Sequence, residues 1–371
     1  MIQGPLNGIR ILDLSRLLPG PLATQMMADM GAEVIKIEDK KAPDYTRFMP
    51  PHYNGVGVSF LALNRNKKSI TLDFSDDKDK QKFFDLVKTA DVVVDSFRPG
   101  VLKKLGIDYE TAKQYNHSII YVAVTGYGQD GVYNKNAGHD INYLGYSGVL
   151  SMLGDKEKIV KPGVQFADIC GGSYPTVMAC LAAVIHKKNT GEGQFVDVAM
   201  TDCVLPLLSF YMTEGLNTNK YYERQEHPLA GSVVNYNIYQ CKDKKWMALG
   251  SLEPKFWMNF CMMVNKPEWS NQLLSNEIKA EVETLFLSKD STEWIALAKQ
   301  FDACLTPILE LNELEKEQYH IDRNNFIEVE HPEKGKLKMI NQPIKFAAFD
   351  KQTFSYPPEM GADNDEILNN L

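Results

Sequence analysis

Two polar segments of the sequence carry side chains that can transfer protons. His139 and Asp140 lie in the segment Gly138-His-Asp-Ile-Asn-Tyr143, and Asp168 lies in Phe166-Ala-Asp-Ile-Cys-Gly-Gly172, just before a long apolar helix. An unperturbed histidine can take or give a proton at neutral pH. One base on each face of a carbon atom permits inversion of a stereocentre, so we predict that His139 and Asp168 form such a pair.

Asp168 has a second interpretation. An aspartate at a helix start can simply cap the helix, which stabilises it by about 1 kcal/mol. Alternatively, the backbone amides of Gly171 and Gly172 could form an oxyanion site at that helix start, with the Asp168 carboxylate beside it as a base or a nucleophile. The residues alone leave both interpretations open.

Two basic stretches accompany predicted strands. Asn64-Arg-Asn-Lys-Lys68 contains three cations beside one strand, and Phe97-Arg-Pro-Gly100 with Lys103 and Lys104 adds three more after another. Ligands of α/β sheets bind beyond the carboxyl ends of strands. These side chains could hold a phosphorylated nucleotide tail, with Phe97 available for stacking. They could equally be solvated, charged loops.

Other cofactor chemistry is less favoured by the sequence. Glu38 ends a predicted strand where a ribose-binding acid of a dinucleotide fold belongs, but the glycine-rich fingerprint is missing. Only Leu18-Pro-Gly-Pro21 occupies the turn, and Pro21 lacks the N–H that a pyrophosphate would accept. The remaining histidines form neither H-x-x-x-H nor H-E-x-x-H, so we predict no metal site.

Composition excludes several classes of protein. The chain has 371 residues, of which 44% are apolar and 24% are charged, which favours two domains. Its 48 acidic and 40 basic residues give a formal charge of -8, which argues against a nucleic-acid partner. The apolar run Tyr174–His186 contains Pro175 and is too short to span a bilayer, so no membrane is expected. Six widely spaced cysteines without C-x-x-C, and a first segment unlike a secretory signal, favour a cytoplasmic location.

The elements that position these residues follow a βαβ pattern. Gly8–Ser15 reads as a strand, a helix follows through Met30, and Glu33–Glu38 reads as the next strand. Further strand patterns predict a doubly wound parallel sheet over 1–216. A polar linker is predicted at 217–230, a smaller α+β domain at 231–318 and a second linker at 319–334. The segment 335–371 is expected to pack back on the first domain.

Several longer motifs resemble one known family. The landmarks include Ala28-Asp-x-Gly-Ala-Glu-Val-Ile-Lys-Ile-Glu38, Asn64-Arg-x-Lys-Lys-Ser69, Phe97-Arg-Pro-Gly100, Gly191-x-Gly-Gln194 and Asp302-Ala-Cys-x-Thr-Pro307. Together they resemble the class III CoA-transferases (CaiB/BaiF type), over nearly the whole chain. That family includes formyl-CoA transferase and α-methylacyl-CoA racemase.

The resemblance implies a fold, a ligand and a site. The expected architecture is α/β, with a Rossmann-like parallel-sheet large domain plus a smaller α+β domain, in an interlocked homodimer. The ligand is a coenzyme A thioester, which is the substrate, and no cofactor is implied. Matching family positions assigns coenzyme A binding to a group of large-domain residues: Leu17, Arg65, Phe97, Arg98 and Lys104. The family's phosphate-binding arginine after Lys-Ile-Glu is Asp39 here, where Lys40 or Lys41 could substitute.

The two branches of the family use the same aspartate differently. In transferases the position of Asp168 is a nucleophile that forms an anhydride and then a CoA thioester, whereas in racemases it is a base. The motif around His139 resembles the racemase signature, with Asp140 and the loop glutamate Glu253 expected to orient and tune the histidine. Transferases also carry a glutamine at Leu18. We therefore predict a 2-methylacyl-CoA racemase, with CoA transfer as the alternative, which the segment from Asp44 through Phe60 favours.

Overall fold

The computed structural model describes residues 3–349 and 353–371, so residues 350–352 of the predicted C-terminal segment lie outside the described residues. The chain divides into two compact units. The first comprises 1–149, 162–207 and 319–371, and the second comprises 150–161 and 208–318. These limits differ from the predicted ones because the segment 150–161 belongs to the second unit and the predicted linker 319–334 belongs to the first.

The first unit is built around a six-stranded parallel sheet. Its strands follow from apolar runs such as Val92-Val-Val-Asp95, which are buried on both faces as parallel strands require. In spatial order the strands are β5-β2-β1-β6-β7-β8. The strand bounds, which include a separate two-stranded ladder of β3 and β4, are β1 Arg10–Asp13, β2 Glu33–Asp39, β3 His52–Tyr53, β4 Val56–Gly57, β5 Lys67–Leu72, β6 Val92–Asp95, β7 Ile120–Thr125 and β8 Phe195–Ala199.

This strand order confirms the predicted Rossmann-like sheet. When the six strands are numbered 1 to 6 along the chain, their spatial order is 3-2-1-4-5-6, and every neighbouring pair is parallel. The direction of winding reverses between β1 and β6. A ligand of such a sheet binds outside the carboxyl ends of these two strands.

Helices cover the sheet and carry the polar segments. The first two turns of α1 contain Pro19 and Pro21, which suit a helix start because their missing N–H groups would be unpaired there. A π-helical segment, Ala167–Ser173, runs directly into α7. The helices are α1 Pro19–Asp29, α2 Val58–Leu63, α3 Asp77–Thr89, α4 Val101–Leu105, α5 Tyr109–Tyr115, α6 Asp140–Tyr146, α7 Tyr174–Thr190 and α8 Met200–Val204.

The helical run Ala167–Thr190 is long and apolar enough to cross a membrane by length and composition, and half of its most apolar window is buried within the protein. A core helix of a globular protein has the same properties.

The second unit has its own antiparallel sheet and core. Tyr239, Trp257, Phe260, Phe286 and Trp294 are fully buried at its centre. The strand order is β11-β10-β9, in which the antiparallel pair β9 and β10 flanks the turn at Lys242–Lys244 and β11 joins on the other side of β10. The elements are α9 Ser209–Thr218, β9 Tyr236–Gln240, β10 Trp246–Gly250, α10 Pro254–Met263, α11 Lys279–Phe286, α12 Ser291–Ala298 and β11 Leu305–Ile308.

The C-terminal part of the chain forms ordered elements on the first unit. Arg47 Nη1 donates to the carbonyl of Pro358, and Arg65 Nη1 donates to the carbonyl of Ile340, both over sequence separations of more than 270 residues. The elements are α13 Gln318–Asp322, which straddles the boundary between the units, the antiparallel hairpin β12 Phe326–His331 and β13 Gly335–Ile340, and α14 Asn364–Leu368.

Candidate active site

Asp168 lies in the first turn of the π-helical segment. Its backbone N–H donates to Asp140 Oδ1 at 3.0 Å, although 28 residues separate the two aspartates. Burial, and then the negative charge of Asp140, raise the pKa of Asp168 to about 7. Local π-helical turns often occur at functional sites. A carboxyl group with this pKa can both accept and return a proton near neutral pH.

His139 directly precedes Asp140 in the chain. It is the residue that precedes α6, and its backbone N–H donates to Asn142 Oδ1 at 3.0 Å, which fixes the start of that helix. Its side chain is exposed. The hydrogen bond from Asp168 to Asp140 brings together two of the predicted residues, and His139 directly precedes Asp140 in the chain.

A cluster of tyrosines that the sequence analysis did not identify borders the aspartates. The hydroxyl of Tyr143 donates to the carbonyl of Gly138 at 2.6 Å, and its ring lies 5.1 Å from that of Tyr127, edge to face. Burial and then the charge of Asp168 raise the pKa of Tyr143 to about 12, while Arg98 acts in the opposite direction. Tyr143 is therefore a neutral hydroxyl within electrostatic reach of both Asp168 and Arg98. The spacing of residues 127, 133, 143 and 146 gave no periodic signal that could have predicted this cluster.

Gly171 and Gly172 pack helices closely together. Both are buried inside the π-helical segment, which begins before Asp168, and not at an open helix start. A Cβ on Gly171 would lie 2.5 Å from the carbonyl oxygen of Met200, and one on Gly172 would lie 2.7 Å from Cβ of Pro19. The glycines thus allow α1 and α8 to approach the segment. This placement argues against the predicted oxyanion site, and the helix-cap interpretation of Asp168 fails because no side-chain cap is formed.

Residues predicted to bind coenzyme A meet where the sheet reverses its winding. Leu17 lies in the loop after β1, and Phe97 and Arg98 lie in the turn after β6. The two segments touch, because the guanidinium of Arg16 lies 4.4 Å from the ring centroid of Phe97 and the Arg16 N–H donates to Ser96 Oγ. Leu17 has a φ of 67°, a conformation that leucine rarely adopts.

A cavity of about 320 Å³ opens behind the turn after β6. Phe97, Arg98 and Lys103 line it on one side, and the rings of Tyr109, Tyr121 and Phe195 line it on another. Asp95, at the end of β6, also lines the cavity. One of its oxygens accepts the N–H of Phe97, and burial together with the charge of Asp197 raises the pKa of Asp95 to about 7. The sequence shows an acid at the end of an apolar strand, but it does not show that no cation of the described residues forms an ion pair with it.

Lys104 and Arg65 differ sharply in their surroundings. Lys104 is exposed in α4, beyond the same turn. Arg65 is only 3% exposed, and its guanidinium donates to Asp29 through Nε at 3.0 Å and Nη2 at 2.6 Å. Through Nη1, which donates to the carbonyl of Ile340, Arg65 also anchors α1 to the C-terminal part of the chain. This placement argues against a contact between Arg65 and coenzyme A.

Two further acidic side chains of the first unit, Glu38 and Asp44, also form buried ion pairs. The Arg47 guanidinium pairs with Glu38 at 2.6 Å, and Lys36 pairs with Asp44 at 3.1 Å. All four side chains are buried. Glu38 is therefore not a free ribose-binding acid, and Asp44 and Arg47 are not available to a substrate.

Glu253 belongs to the second unit. It is exposed and directly precedes α10, and its side chain makes no cap of that helix. Its action on His139 stays a prediction. In the described ranges 3–349 and 353–371, no group of three or more His, Cys, Asp or Glu side chains could hold a metal ion.

Comparison with known proteins defines the class of this protein. The model of CoA-transferase family III matches residues 6–364. Among solved structures, a CaiB/BaiF family protein from Brucella suis superimposes with a TM-score of 0.87 at 27% identity, covering 99% of each chain. The chain belongs to CoA-transferase family III.

Curated relatives of similar identity carry two different activities. The chain is 32% identical to α-methylacyl-CoA racemase of Mus musculus over 87% of this chain and 82% of the relative. It is 31% identical to succinyl-CoA:glutarate CoA-transferase of the same organism over 98% of this chain and 86% of the relative. The protein is thus an enzyme of a family that contains both racemases and CoA-transferases.

Proposed function

We propose that this protein racemises 2-methylacyl-CoA thioesters by a two-base proton transfer. One observation carries the proposal: Asp140, the residue after His139, accepts the backbone N–H of Asp168, and the pKa of Asp168 is raised to about 7. A nucleophile works best as a fully ionised carboxylate, whereas a group that must both take and return protons works best with a pKa near the working pH.

The thioester carbonyl acidifies the α-carbon of the acyl group. Either His139 or Asp168 removes the α-proton, and the electrons of the broken C–H bond form an enolate. The other residue then delivers a proton to the opposite face, which forms the new C–H bond with inverted configuration. The reaction moves only a proton, so its chemistry calls for no redox cofactor. Asp140 tunes these groups through its negative charge.

Coenzyme A binding is assigned to the place where the sheet reverses its winding. Leu17, Phe97, Arg98 and Lys104 are the predicted contacts that remain there, and Arg65 is omitted because its guanidinium is buried against Asp29 and the carbonyl of Ile340. Arg98 also acts electrostatically on Tyr143, which in turn feels Asp168. This chain of neighbours supports a ligand that runs from the turn after β6 toward Asp168.

The second candidate is CoA transfer with Asp168 as the nucleophile. A specific observation favours it, because relatives of equal identity include succinyl-CoA:glutarate CoA-transferase. Asp44 and Arg47, which favour a transferase by their spacing, are buried in ion pairs and do not support that candidate. We therefore keep the racemase as the proposal.

A homodimer is part of the proposal. One face of α7 exposes Tyr174, Met178 and Ile185, of which Met178 is 62% exposed. Apolar residues at this helical spacing form a continuous stripe that water would solvate poorly. A second copy of the chain would cover this stripe. Separately, we propose the cytoplasmic location that the spacing of the cysteines favours. Light scattering of the protein and of Met178→Asp tests the dimer.

The test uses (2R)-2-methylacyl-CoA in D2O without a second carboxylic acid. The proposal predicts α-deuteration and movement of the diastereomer ratio toward 1:1. In the variant His139→Ala, inversion should be lost while coenzyme A affinity stays nearly unchanged, because His139 is assigned to proton transfer only. Undiminished racemisation by this variant would make the two-base assignment wrong. No exchange, with CoA appearing on added succinate, would instead identify a transferase.

A further inference from the structure

The loop between β1 and α1 is held in an unfavourable conformation by groups beneath it. Leu17 adopts a φ of 67°, where a side chain with a Cβ is strained. On either side, the Ser15 N–H donates to Asp13 Oδ1 at 2.9 Å and the Arg16 N–H donates to Ser96 Oγ at 2.9 Å. Such strain persists only where the surroundings fix the backbone.

Two buried lysines from neighbouring strands complete this support. Lys36 Nζ, from β2, donates to the carbonyl of Ser15 at 2.9 Å. Lys67 Nζ, from β5, donates to the carbonyl of Pro21 at 2.9 Å. Both side chains have no solvent exposure. The two lysines thus form hydrogen bonds with both ends of the segment 15–21 from inside the protein.

The charges of the two lysines are balanced locally. Lys67 Nζ also donates to Asp13 Oδ2 at 3.0 Å and to Asn64 Oδ1 at 2.8 Å. Lys36 Nζ lies 3.1 Å from Asp44 Oδ2. Buried ion pairs cost so much desolvation that an apolar replacement is often at least as stable. Stability alone therefore does not explain two of them under one loop.

The segment they hold adjoins the site. Pro19 packs against the π-helical segment so closely that a Cβ on Gly172 would lie 2.7 Å from its Cβ. Leu17 follows β1, where the sheet reverses its winding, and the guanidinium of its neighbour Arg16 lies 4.4 Å from the ring centroid of Phe97. A shift of residues 15–21 would therefore be felt both by the predicted coenzyme A contacts and by the segment that carries Asp168.

We infer that Lys36 and Lys67 are positioning residues, which hold the segment 15–21 in the strained form that receives the coenzyme A thioester. The ligand in this inference rests on the proposed function. The ordering of the segment does not, and it can be measured separately.

The principal variant is the double substitution Lys36→Met/Asp44→Asn. It removes both charges of one pair, so no unpaired buried charge remains from it, and an amide at position 44 can still accept the N–H of Thr46 as Asp44 does. The matched control is Lys88→Met/Asp85→Asn, which removes an ion pair of 2.6 Å on α3, remote in sequence from the segment.

Two readouts are taken on each variant. Amide hydrogen exchange measured by mass spectrometry follows a peptide over 14–22 and peptides over β6 and β7, and calorimetry measures the dissociation constant of free coenzyme A. We expect exchange at 14–22 to rise about tenfold, with β6 and β7 unchanged, and coenzyme A binding to weaken about tenfold. The control should change neither quantity.

Unchanged exchange at 14–22 in a folded variant would overturn the inference, and so would a uniform rise over all peptides, which indicates general destabilisation. If the variant does not fold, Asp13→Asn/Lys67→Met removes the other anchor and should give the same local pattern. Failure of both to fold would assign the lysines to the fold as such and overturn the inference. If the unmodified protein binds no coenzyme A, the proposed function fails, while the exchange experiment still decides the positioning.

Discussion

Two groups of carboxylates in the first unit have opposite surroundings. Asp13, at the end of β1, is buried, but the charges of Lys67 and Lys36 and hydrogen bonds from Ser15 and Thr24 outweigh its desolvation and hold its pKa well below the ordinary value. No cation of residues 3–349 or 353–371 holds down the pKa of Asp168 or Asp95, and burial raises the pKa of each to about 7. Burial acts to raise the pKa of all three aspartates. The nearest charge therefore decides whether an aspartate stays ionised or can exchange protons.

The difference assigns distinct roles within one fold. Asp13 with its lysines fixes the backbone around α1, since a permanently ionised carboxylate serves well as an acceptor for several donors. Asp168 lies next to another carboxylate, Asp140, which works against ionisation. A carboxyl group with a pKa of about 7 is present in both its protonated and its ionised form near neutral pH.

The largest expected effect is at Asp168. The variant Asp168→Asn keeps the size of the side chain and removes the group that exchanges a proton. We expect racemisation of 2-methylacyl-CoA to fall by about 10³-fold or more, because positioned proton transfer contributes on this scale. Coenzyme A affinity measured by calorimetry should change little, and a folded variant that retains racemisation within tenfold would contradict the role.

The next effect is on stability. Lys67→Met leaves Asp13 without its nearest cation, and breaking a buried pair in this way costs about 3–5 kcal/mol. The stabilisation that Asp13 gives is present above its unfolded-state pKa of 3.8 and is lost as the pH falls toward its lower folded-state pKa. Urea unfolding at pH 7 measures the loss. The control Lys88→Met, at an exposed pair, should lose little, and equal losses in the two variants would refute the contrast.

Asp95 should show the opposite dependence on pH. Its folded-state pKa of about 7 lies above the ordinary 3.8, so the unfolded chain loses this proton first and stability falls as pH rises between these values. In Asp95→Asn this loss is absent. The variant should gain on the order of 2–4 kcal/mol relative to the unmodified protein between pH 4 and pH 8, measured by urea unfolding across that range. Parallel pH profiles would show that Asp95 titrates normally.

The sequence predicted the sheet well because its strands are short apolar runs bounded by turns. Val92–Asp95 matches the structure at both ends. Helices were harder to delimit, since Ile278–Lys299 reads as one helical stretch but forms α11 and α12, separated where Asp290 and Glu293 make a capping box. The hairpin of β12 and β13 was missed within a part of the chain that reads as loops.

The site was predicted by residue type and not by partner. His139, Asp140 and Asp168 were identified, but the contact between Asp140 and Asp168 depends on the fold. Arg65 shows the converse, because its basic segment gives no hint that Asp29, 36 residues earlier, occupies its guanidinium. Electrostatic partners distant in sequence decide which charges remain free, and those distances are set only in the folded chain.

The most direct test of this account is the titration of the Asp168 carboxyl group itself. Infrared difference spectra of the unmodified protein against Asp168→Asn, recorded from pH 4 to pH 9, isolate its protonated and ionised bands. The account predicts a midpoint near pH 7, which moves lower in Asp140→Asn because one of its two raising causes is removed. The movement should be the smaller part of the shift, since burial is the larger cause. A midpoint near 4, or no movement in Asp140→Asn, would contradict it.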